Sequence, residues 1–323
     1  MWKRLAYLQK NLLWTIPAAM LAGLLTGYFL PVQGLKSTIV PLTFLMVYPM
    51  MVNLQIEKVF STEGLRCQLV TQAINFLLIP FVAYGLGRWF FTDRPLVALG
   101  LLLAALLPTS GMTITWTGFA KGDINAAIKM TVIGLVVGSI ATPFFVQWLM
   151  GTVIEIPLAQ VFKQIALIVF VPMVLGYFTQ KWLIRHYGKE VYQRDLKNRF
   201  PMISTLGVLG IVFVAMALKA DSILSRPETL LVYLLPLVLL YSLNFALSTV
   251  VASLFFSRGE GIALVYGTVM RNLSIALAIA MTVFKANGAE IAIIIALAYI
   301  VQVQAAAWYV KFSERIFGLP AEG

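Results

Sequence analysis

Long apolar runs separated by short polar loops constrain this chain more than any other feature. Hydrophobic residues make up 60% of the 323 residues and charged residues only 11%, whereas a soluble domain carries about 25% charged residues. A membrane-spanning helix needs about 20 consecutive apolar residues, and the runs reach that length. Lipid cannot satisfy backbone N–H and C=O groups, so each run must pair them internally. The sequence therefore predicts an all-α integral membrane protein.

We predict that ten runs span the membrane. They comprise residues 11–30, 38–54, 67–91, 96–120, 124–150, 157–182, 202–219, 229–256, 261–284 and 289–312. Basic loop residues are more frequent on the side of the two termini, where Lys3, Lys58 and Lys121 fall, than on the side of Lys36 and Arg226. Cytoplasmic loops carry such an excess of positive charge. We therefore predict a multi-pass protein of the cytoplasmic membrane with both termini inside the cell.

The fourth run contains a break at mid-span. An apolar segment, 96–107, is followed by PTSG at 108–111 and then by a second apolar segment. Proline and glycine both weaken a helix, and the freed backbone groups need partners other than lipid. In transporters such a break usually forms the substrate site, and a simple proline kink is the alternative.

The ninth run has a similar irregularity, GTVMRNLS at 267–274. An arginine near the bilayer centre costs about 3 kcal/mol or more. We therefore predict that Arg271 faces a cavity or a partner. The alternative is that the span is displaced along the chain and Arg271 reaches an interface.

Two segments indicate an internal repeat. Residues 117–128, TGFAKGDINAAI, are similar to residues 282–295, TVFKANGAEIAIII, and they occupy the fourth-to-fifth and ninth-to-tenth junctions. Two units of five helices in one chain must face opposite ways, because five is odd. We therefore predict two inverted repeats, residues 1–156 and 157–323, in one membrane domain. Chance similarity between apolar helices is the alternative.

Several short motifs resemble those of one transporter superfamily, the bile acid/arsenite/riboflavin transporters. LTGYFLP, LMVYPMM, INFLLIP and TWTGFAKGD, in the first four runs, are similar to motifs of its arsenite-efflux branch, the arsenical-resistance permeases. The resemblance implies ten helices in two inverted repeats, with unwound fourth and ninth helices that cross. Two positions depart from that branch: Thr109 stands at its cysteine and Ser274 at its glutamate.

The bile acid:sodium symporters, a second branch, share Pro108 and the AKGD motif at equal spacing. That branch binds two sodium ions through oxygen ligands at the helix crossing. The matching positions in this chain are Thr113, Ile114, Ala127, Thr131, Gly267 and Arg271. Several ligand oxygens are thus missing and a guanidinium stands nearby, so we predict transport that does not require sodium.

The candidate site residues lie at the two breaks and on the neighbouring runs. They are Asn75, Thr109, Ser110, Thr113, Trp116, Lys129, Thr131, Arg271, Asn272 and Ser274. Lys129 has two interpretations. It is either a proton carrier or fixed counter-ion, or a structural lysine that reaches an interface or pairs with a carbonyl group. Trp116 is either a cavity wall or simple packing. Asp123 and Glu290 follow the two repeated segments, and we predict that they cap helix N-termini.

These patterns predict a secondary transporter for a small polar or anionic solute, with the lipid bilayer as its surroundings. Arsenite or small-oxyanion efflux is the first hypothesis, sodium- or proton-coupled organic anion symport the second, and a channel the third. The single histidine, His186, lies in a loop, and no nucleotide-binding glycine motif is present, which argues against an enzyme. We predict no cofactor, no metal site and no nucleic-acid partner. Substrate, direction, coupling ion and oligomeric state stay open.

Overall fold

The computed structural model describes residues 2–55, 57, 64–225 and 227–318, and within these ranges the chain is helical without β-strands. Lys58 and Arg226, used above for orientation, lie outside the described residues, as do Met1 and Gly323 at the ends of the predicted repeats. The helices are α1 (Trp2–Lys10), α2 (Leu12–Phe29), α3 (Ile39–Val52), α4 (Leu65–Phe90), α5 (Pro95–Leu106), α6 (Gly111–Phe119), α7 (Ile124–Met150), α8 (Leu158–Tyr187), α9 (Lys189–Leu218), α10 (Ala220–Leu224), α11 (Glu228–Phe255), α12 (Arg258–Val269), α13 (Leu273–Val283) and α14 (Lys285–Phe317).

The lengths of these helices fit a multi-pass membrane protein. Among the described residues, seven helical stretches are long and apolar enough to cross a membrane, one of them Gln33–Val52, in which the 3-10 helix Gln33–Thr38 leads into α3; there are eight if α1 and α2, which are bent by 96°, form one span. The four helices α5, α6, α12 and α13 have only 9 to 12 residues each. A span needs about 20 residues. The predicted total of ten spans therefore depends on joining α5 to α6 and α12 to α13, and this pairing stays a prediction.

Proline positions explain local widening in two long helices. In α4 the turn Ile74–Leu78 is a π-helix just before Pro80, and in α8 the turn Ala166–Phe170 is one just before Pro172. Proline has no N–H and its ring clashes with the carbonyl four residues earlier, so the preceding turn opens. The widened turn of α4 contains Asn75, which belongs to the predicted site.

The chain divides into two units, each assembled from separate segments. Unit 1 comprises Met1–Leu54, Pro157–Leu231 and Ser274–Ala296, and unit 2 comprises Gln55–Ile156, Val232–Leu273 and Leu297–Gly323. Each unit takes segments from both halves of the chain. The units are therefore a different division from the predicted repeats, which stay a prediction.

In unit 1, α2 lies close against α9. A Cβ added to Gly23 would come 2.5 Å from the carbonyl oxygen of Phe213, and one added to Gly27 would collide with the carbonyl oxygen of Ala217. In the same unit the prediction for Glu290 is wrong. Because α14 begins earlier, at Lys285, Glu290 lies beyond the first turn and forms an ion pair with Lys219 at 3.1 Å.

In unit 2, the prediction for Asp123 is confirmed. Its Oδ1 accepts a hydrogen bond from the backbone N–H of Ala126 at 3.0 Å and so caps α7. A side-chain acceptor at this position satisfies one of the N–H groups that a helix start leaves without a partner. Unit 2 also contains both breaks, where most of the candidate site residues lie.

Candidate functional site

The first break separates α5 from α6. Helix α5 ends at Leu106, and α6 begins at Gly111 behind the N-cap residue Ser110. The Ser110 hydroxyl accepts a hydrogen bond from Met112, and the Thr113 hydroxyl accepts one from the Ser110 N–H, which together make a capping box. Thr109 has a φ of 62°, a conformation that a β-branched residue adopts only under strain. The segment therefore has a defined backbone and is more than a kinked turn.

The second break separates α12 from α13 and lies beside the first. Pro108 and Arg271 form an isolated antiparallel bridge. The N–H of Asn272 donates to the carbonyl oxygen of Leu107 at 2.8 Å. Each break thus supplies backbone partners for the other, which lets both persist away from water.

The first break packs against Gly134 and Gly138 of α7. A Cβ on Gly134 would come 2.5 Å from Thr109 Oγ1, and one on Gly138 would come 2.7 Å from Pro108 Cδ. The Thr109 hydroxyl also donates to the carbonyl oxygen of Thr131 at 3.2 Å. The two glycines, four residues apart on one helix face, therefore determine how closely residues 108 and 109 approach α7.

Polar side chains satisfy the C-terminal carbonyl groups of α12, which have no partners within that helix. Asn75 Nδ2 donates to the carbonyl oxygen of Gly267 at 3.0 Å, and Asn244 Nδ2 donates to that of Thr268 at 2.9 Å. The Oδ1 atom of Asn75 is buried and has no hydrogen-bond partner among the described residues. Asn75 therefore has a structural role at the second break and one acceptor left over.

Arg271 lies in the extended segment of the second break, 3% exposed. Its backbone N–H donates to Gln302 Oε1 at 2.8 Å, and its carbonyl oxygen accepts from Gln302 Nε2 at 3.2 Å. Its side-chain nitrogens Nη1 and Nη2 are buried and have no hydrogen-bond partner in the part of the chain that the structure describes. The guanidinium group is therefore buried with two donor nitrogens that no described residue satisfies.

Buried charge in the described residues has one sign. Among the side chains that the structure describes, the only charged ones that are buried are Arg271 and Lys129, which is 4% exposed on α7, and both belong to unit 2. No aspartate or glutamate that the structure describes is buried. Two helices end and two begin at the breaks, so their partial charges offset one another. The buried charged side chains that the structure describes in unit 2 are thus both basic.

Other candidate residues lie around the breaks with different degrees of burial. Thr131 is buried and donates to the carbonyl oxygen of Ala127 at 2.8 Å. Trp116 is partly exposed on α6 and packs edge-to-face on Phe119 at 5.5 Å. Ser274, in α13, is buried and belongs to unit 1. The structure thus brings residues 108–110 and 271–272 together in unit 2.

Several residues at the breaks were not among the ten candidates: Gly134, Gly138, Tyr241, Asn244 and Gln302. A signal for some of them is present, because amide side chains within an apolar helix need a hydrogen-bond partner. That signal does not say which partner is used. No group of three or more His, Cys, Asp or Glu side chains suited to a metal ion occurs within the described ranges.

Sequence comparison identifies one protein family and several related proteins. Residues 40–226 match the sequence model of the Sodium Bile acid symporter family. Arsenical-resistance protein Acr3 of Alkaliphilus metalliredigens is 23% identical, over 73% of this chain and 72% of its own length. Arsenical-resistance protein Acr3 of Corynebacterium glutamicum is 21% identical, over 89% and 84%. An uncharacterized sodium-dependent transporter of Bacillus subtilis, YocS, is 21% identical over 46% of this chain and 44% of its own.

Proposed function

This chain belongs to the Sodium Bile acid symporter family, and from that premise we propose that it is a secondary transporter which binds a small anion at Arg271. One observation carries the proposal: the buried guanidinium has two terminal nitrogens without partners among the described residues, and no described acidic side chain is buried. A buried charge without a partner is costly, and an anionic ligand removes that cost. Arginine is suited to this role because its planar fork binds two oxygens at once.

The transport pathway in this proposal uses ten spans in two inverted repeats. Helices α5 and α6 form one broken span and α12 and α13 the other, and both termini are cytoplasmic. The antiparallel bridge between Pro108 and Arg271 supports this arrangement, because inverted repeats bring corresponding breaks together near the bilayer midplane. The ligand then binds beside residues that belong to both repeats.

Arsenite or a related small oxyanion is the first substrate to test, since two relatives are named arsenical-resistance proteins. The residue at position 109 bears on this choice, because Thr109 stands where the arsenite-efflux branch has a cysteine, and its hydroxyl group is not a thiol ligand. A small organic anion is the second candidate. It is favoured by the guanidinium, since a carboxylate offers two coplanar oxygens to the two terminal nitrogens.

Coupling in this proposal does not use sodium. It comes either from protons, with Lys129 as the proton carrier, or from the gradient of the substrate itself. Lys129 as a fixed counter-ion for the anion remains the alternative role. The matched variants Lys129→Gln and Lys129→Arg distinguish the two roles, because only the second variant retains a fixed positive charge.

The test is transport into proteoliposomes with four probes: arsenite, phosphate, acetate and taurocholate. We expect saturable counterflow of an anionic probe in the wild type and its loss in Arg271→Gln. Arg88→Gln, at the exposed end of α4, is the matched control and should transport normally. Unchanged flux in Arg271→Gln, or flux that does not saturate, would overturn the proposal, the latter by indicating a channel. Expression in an arsenic-sensitive bacterial strain then separates arsenite efflux from organic anion transport.

A further inference from the structure

We infer that Gln302 of α14 is a positioning residue that holds the backbone of Arg271, with Tyr241 of α11 donating a further hydrogen bond to the Gln302 amide. The role of Arg271 as the ligand-binding group rests on the function proposed above. The clamp itself rests on hydrogen bonds within unit 2 and does not depend on the identity of the ligand.

The Gln302 side chain replaces the backbone partner that a broken helix lacks. Its Oε1 accepts from the Arg271 N–H at 2.8 Å while its Nε2 donates to the Arg271 carbonyl oxygen at 3.2 Å. One side chain thus satisfies both backbone polar groups of one residue. Gln302 is 0% exposed, so water does not compete for these bonds.

Tyr241 forms a further hydrogen bond with the Gln302 amide. Its hydroxyl group donates to Gln302 Oε1 at 2.8 Å, and Tyr241 itself is 3% exposed. A flipped amide would direct an NH₂ group at the N–H of Arg271 and leave that donor unsatisfied. The backbone of Arg271 therefore sets the orientation of the amide, and the Tyr241 hydroxyl adds a third hydrogen bond that holds the amide in place.

The clamp matters for binding because the guanidinium lies at the end of a long side chain. Bond lengths place its carbon roughly 6 Å from Cα, so a 10° rotation of the backbone moves it by about 1 Å. Hydrogen-bond distances vary by only a few tenths of an ångström. The bridge to Pro108 and the bonds to Gln302 hold the segment from different partners, which pre-organises the guanidinium for a ligand.

If Gln302 only linked helices, its loss would not change the KM of transport. The variant Gln302→Met distinguishes this structural role from the positioning role. Methionine is also unbranched and of similar length but lacks the amide. Gln304→Met, on the same helix at a partly exposed position, is the matched control. Tyr241→Phe removes one hydroxyl group and leaves the clamp bonds, so it provides a milder variant if Gln302→Met fails to fold.

Two measurements decide the proposal. Hydrogen–deuterium exchange of the peptide that contains residues 269–273 should accelerate at least tenfold in Gln302→Met, with other helices unchanged, because the Arg271 N–H loses its acceptor. Counterflow of the transported probe should show KM raised between about tenfold and a hundredfold, with the maximal rate retained. Tyr241→Phe should give intermediate values and Gln304→Met wild-type values.

Unchanged exchange in that peptide, or exchange that rises equally throughout the protein, would overturn the clamp. Faster exchange with an unchanged KM would retain the hydrogen bonds but reject the positioning role. Failure of the proposed function looks different, because Arg271→Gln would then transport normally while the exchange result for Gln302→Met would still hold. The exchange measurement needs no ligand, so it decides the clamp even if none of the four probes is transported.

Discussion

Replacing Arg271 by methionine is expected to stabilise the protein while it abolishes anion binding. The guanidinium is buried, and its Nη1 and Nη2 atoms have no partner among the described residues. Each buried donor without a partner costs about 1–3 kcal/mol, so removing both gains about 2 kcal/mol even at the lower limit. Methionine is flexible and apolar, so it refills the space left by the arginine stem. Stability and function should therefore change in opposite directions.

Thermal unfolding of the detergent-purified protein, at the lowest anion concentration that the buffer allows, measures this effect. At about 2.1 cal/mol/K of unfolding entropy per residue, a gain of about 2 kcal/mol corresponds to a rise of roughly 3 °C in Tm for a chain of 323 residues. Arg88→Met, at an exposed position, should stay within about 0.5 kcal/mol of the wild type. An anion that binds should raise the Tm of the wild type by mass action and leave that of Arg271→Met unchanged.

The opposite result refutes the reasoning. If Arg271→Met unfolds at a lower temperature than the wild type, the terminal nitrogens of the guanidinium stabilise the fold and are not held for a ligand. If an anion stabilises the variant as much as the wild type, binding takes place elsewhere. Either outcome removes the observation on which the proposed anion site depends.

Three further predictions test the breaks and the membrane topology. Transport should be independent of sodium at constant ionic strength, and flux that rises steeply with sodium would contradict this. At ~4 Å and an effective dielectric constant of ~20, repulsion by the guanidinium would weaken the binding of a sodium ion by roughly 4 kcal/mol, which is nearly a thousandfold in affinity. Gly138→Ala should lower the unfolding free energy by about 1–3 kcal/mol, because the added Cβ would lie 2.7 Å from Pro108 Cδ. The control Gly85→Ala has open space around the added Cβ and should gain about 0.5–1 kcal/mol in stability. Thermal melts measure both variants, and equal effects would exclude close packing at residue 138. In intact cells, Lys36→Cys should react with a membrane-impermeant thiol reagent and Lys3→Cys only with a permeant one, and the reverse pattern would invert the predicted orientation.

The positions of the helices and of their interruptions follow from local sequence. The apolar runs predict the long helices because hydrophobicity and helix propensity are properties of neighbouring residues. The end of α5 before Pro108 and the start of α6 at Gly111 are predictable for the same reason. Asp123 was correctly predicted as a cap because the acceptor and the N–H that it satisfies are three residues apart.

Glu290 shows where local reasoning failed. Its sequence resembles a helix start, but the helix begins at Lys285, and the carboxylate pairs with Lys219, which is 71 residues away in the chain. A boundary error of a few residues changes a cap into an ion pair, and only the packing of unit 1 supplies the partner. The position and charge of Glu290 in the sequence therefore do not predict that it pairs with Lys219.

What the sequence alone determined is that polar residues and one arginine stand at two interruptions of the apolar runs. Only the tertiary structure decided how these residues pair. Pro108 lies against Arg271, Asn75 holds Gly267 from 192 residues away, and Gln302 holds Arg271 from 31 residues away. A buried amide or guanidinium must find partners, and this requirement is visible in the sequence. Which partners it finds depends on the approach of distant helices, and that approach is determined by packing over the whole unit.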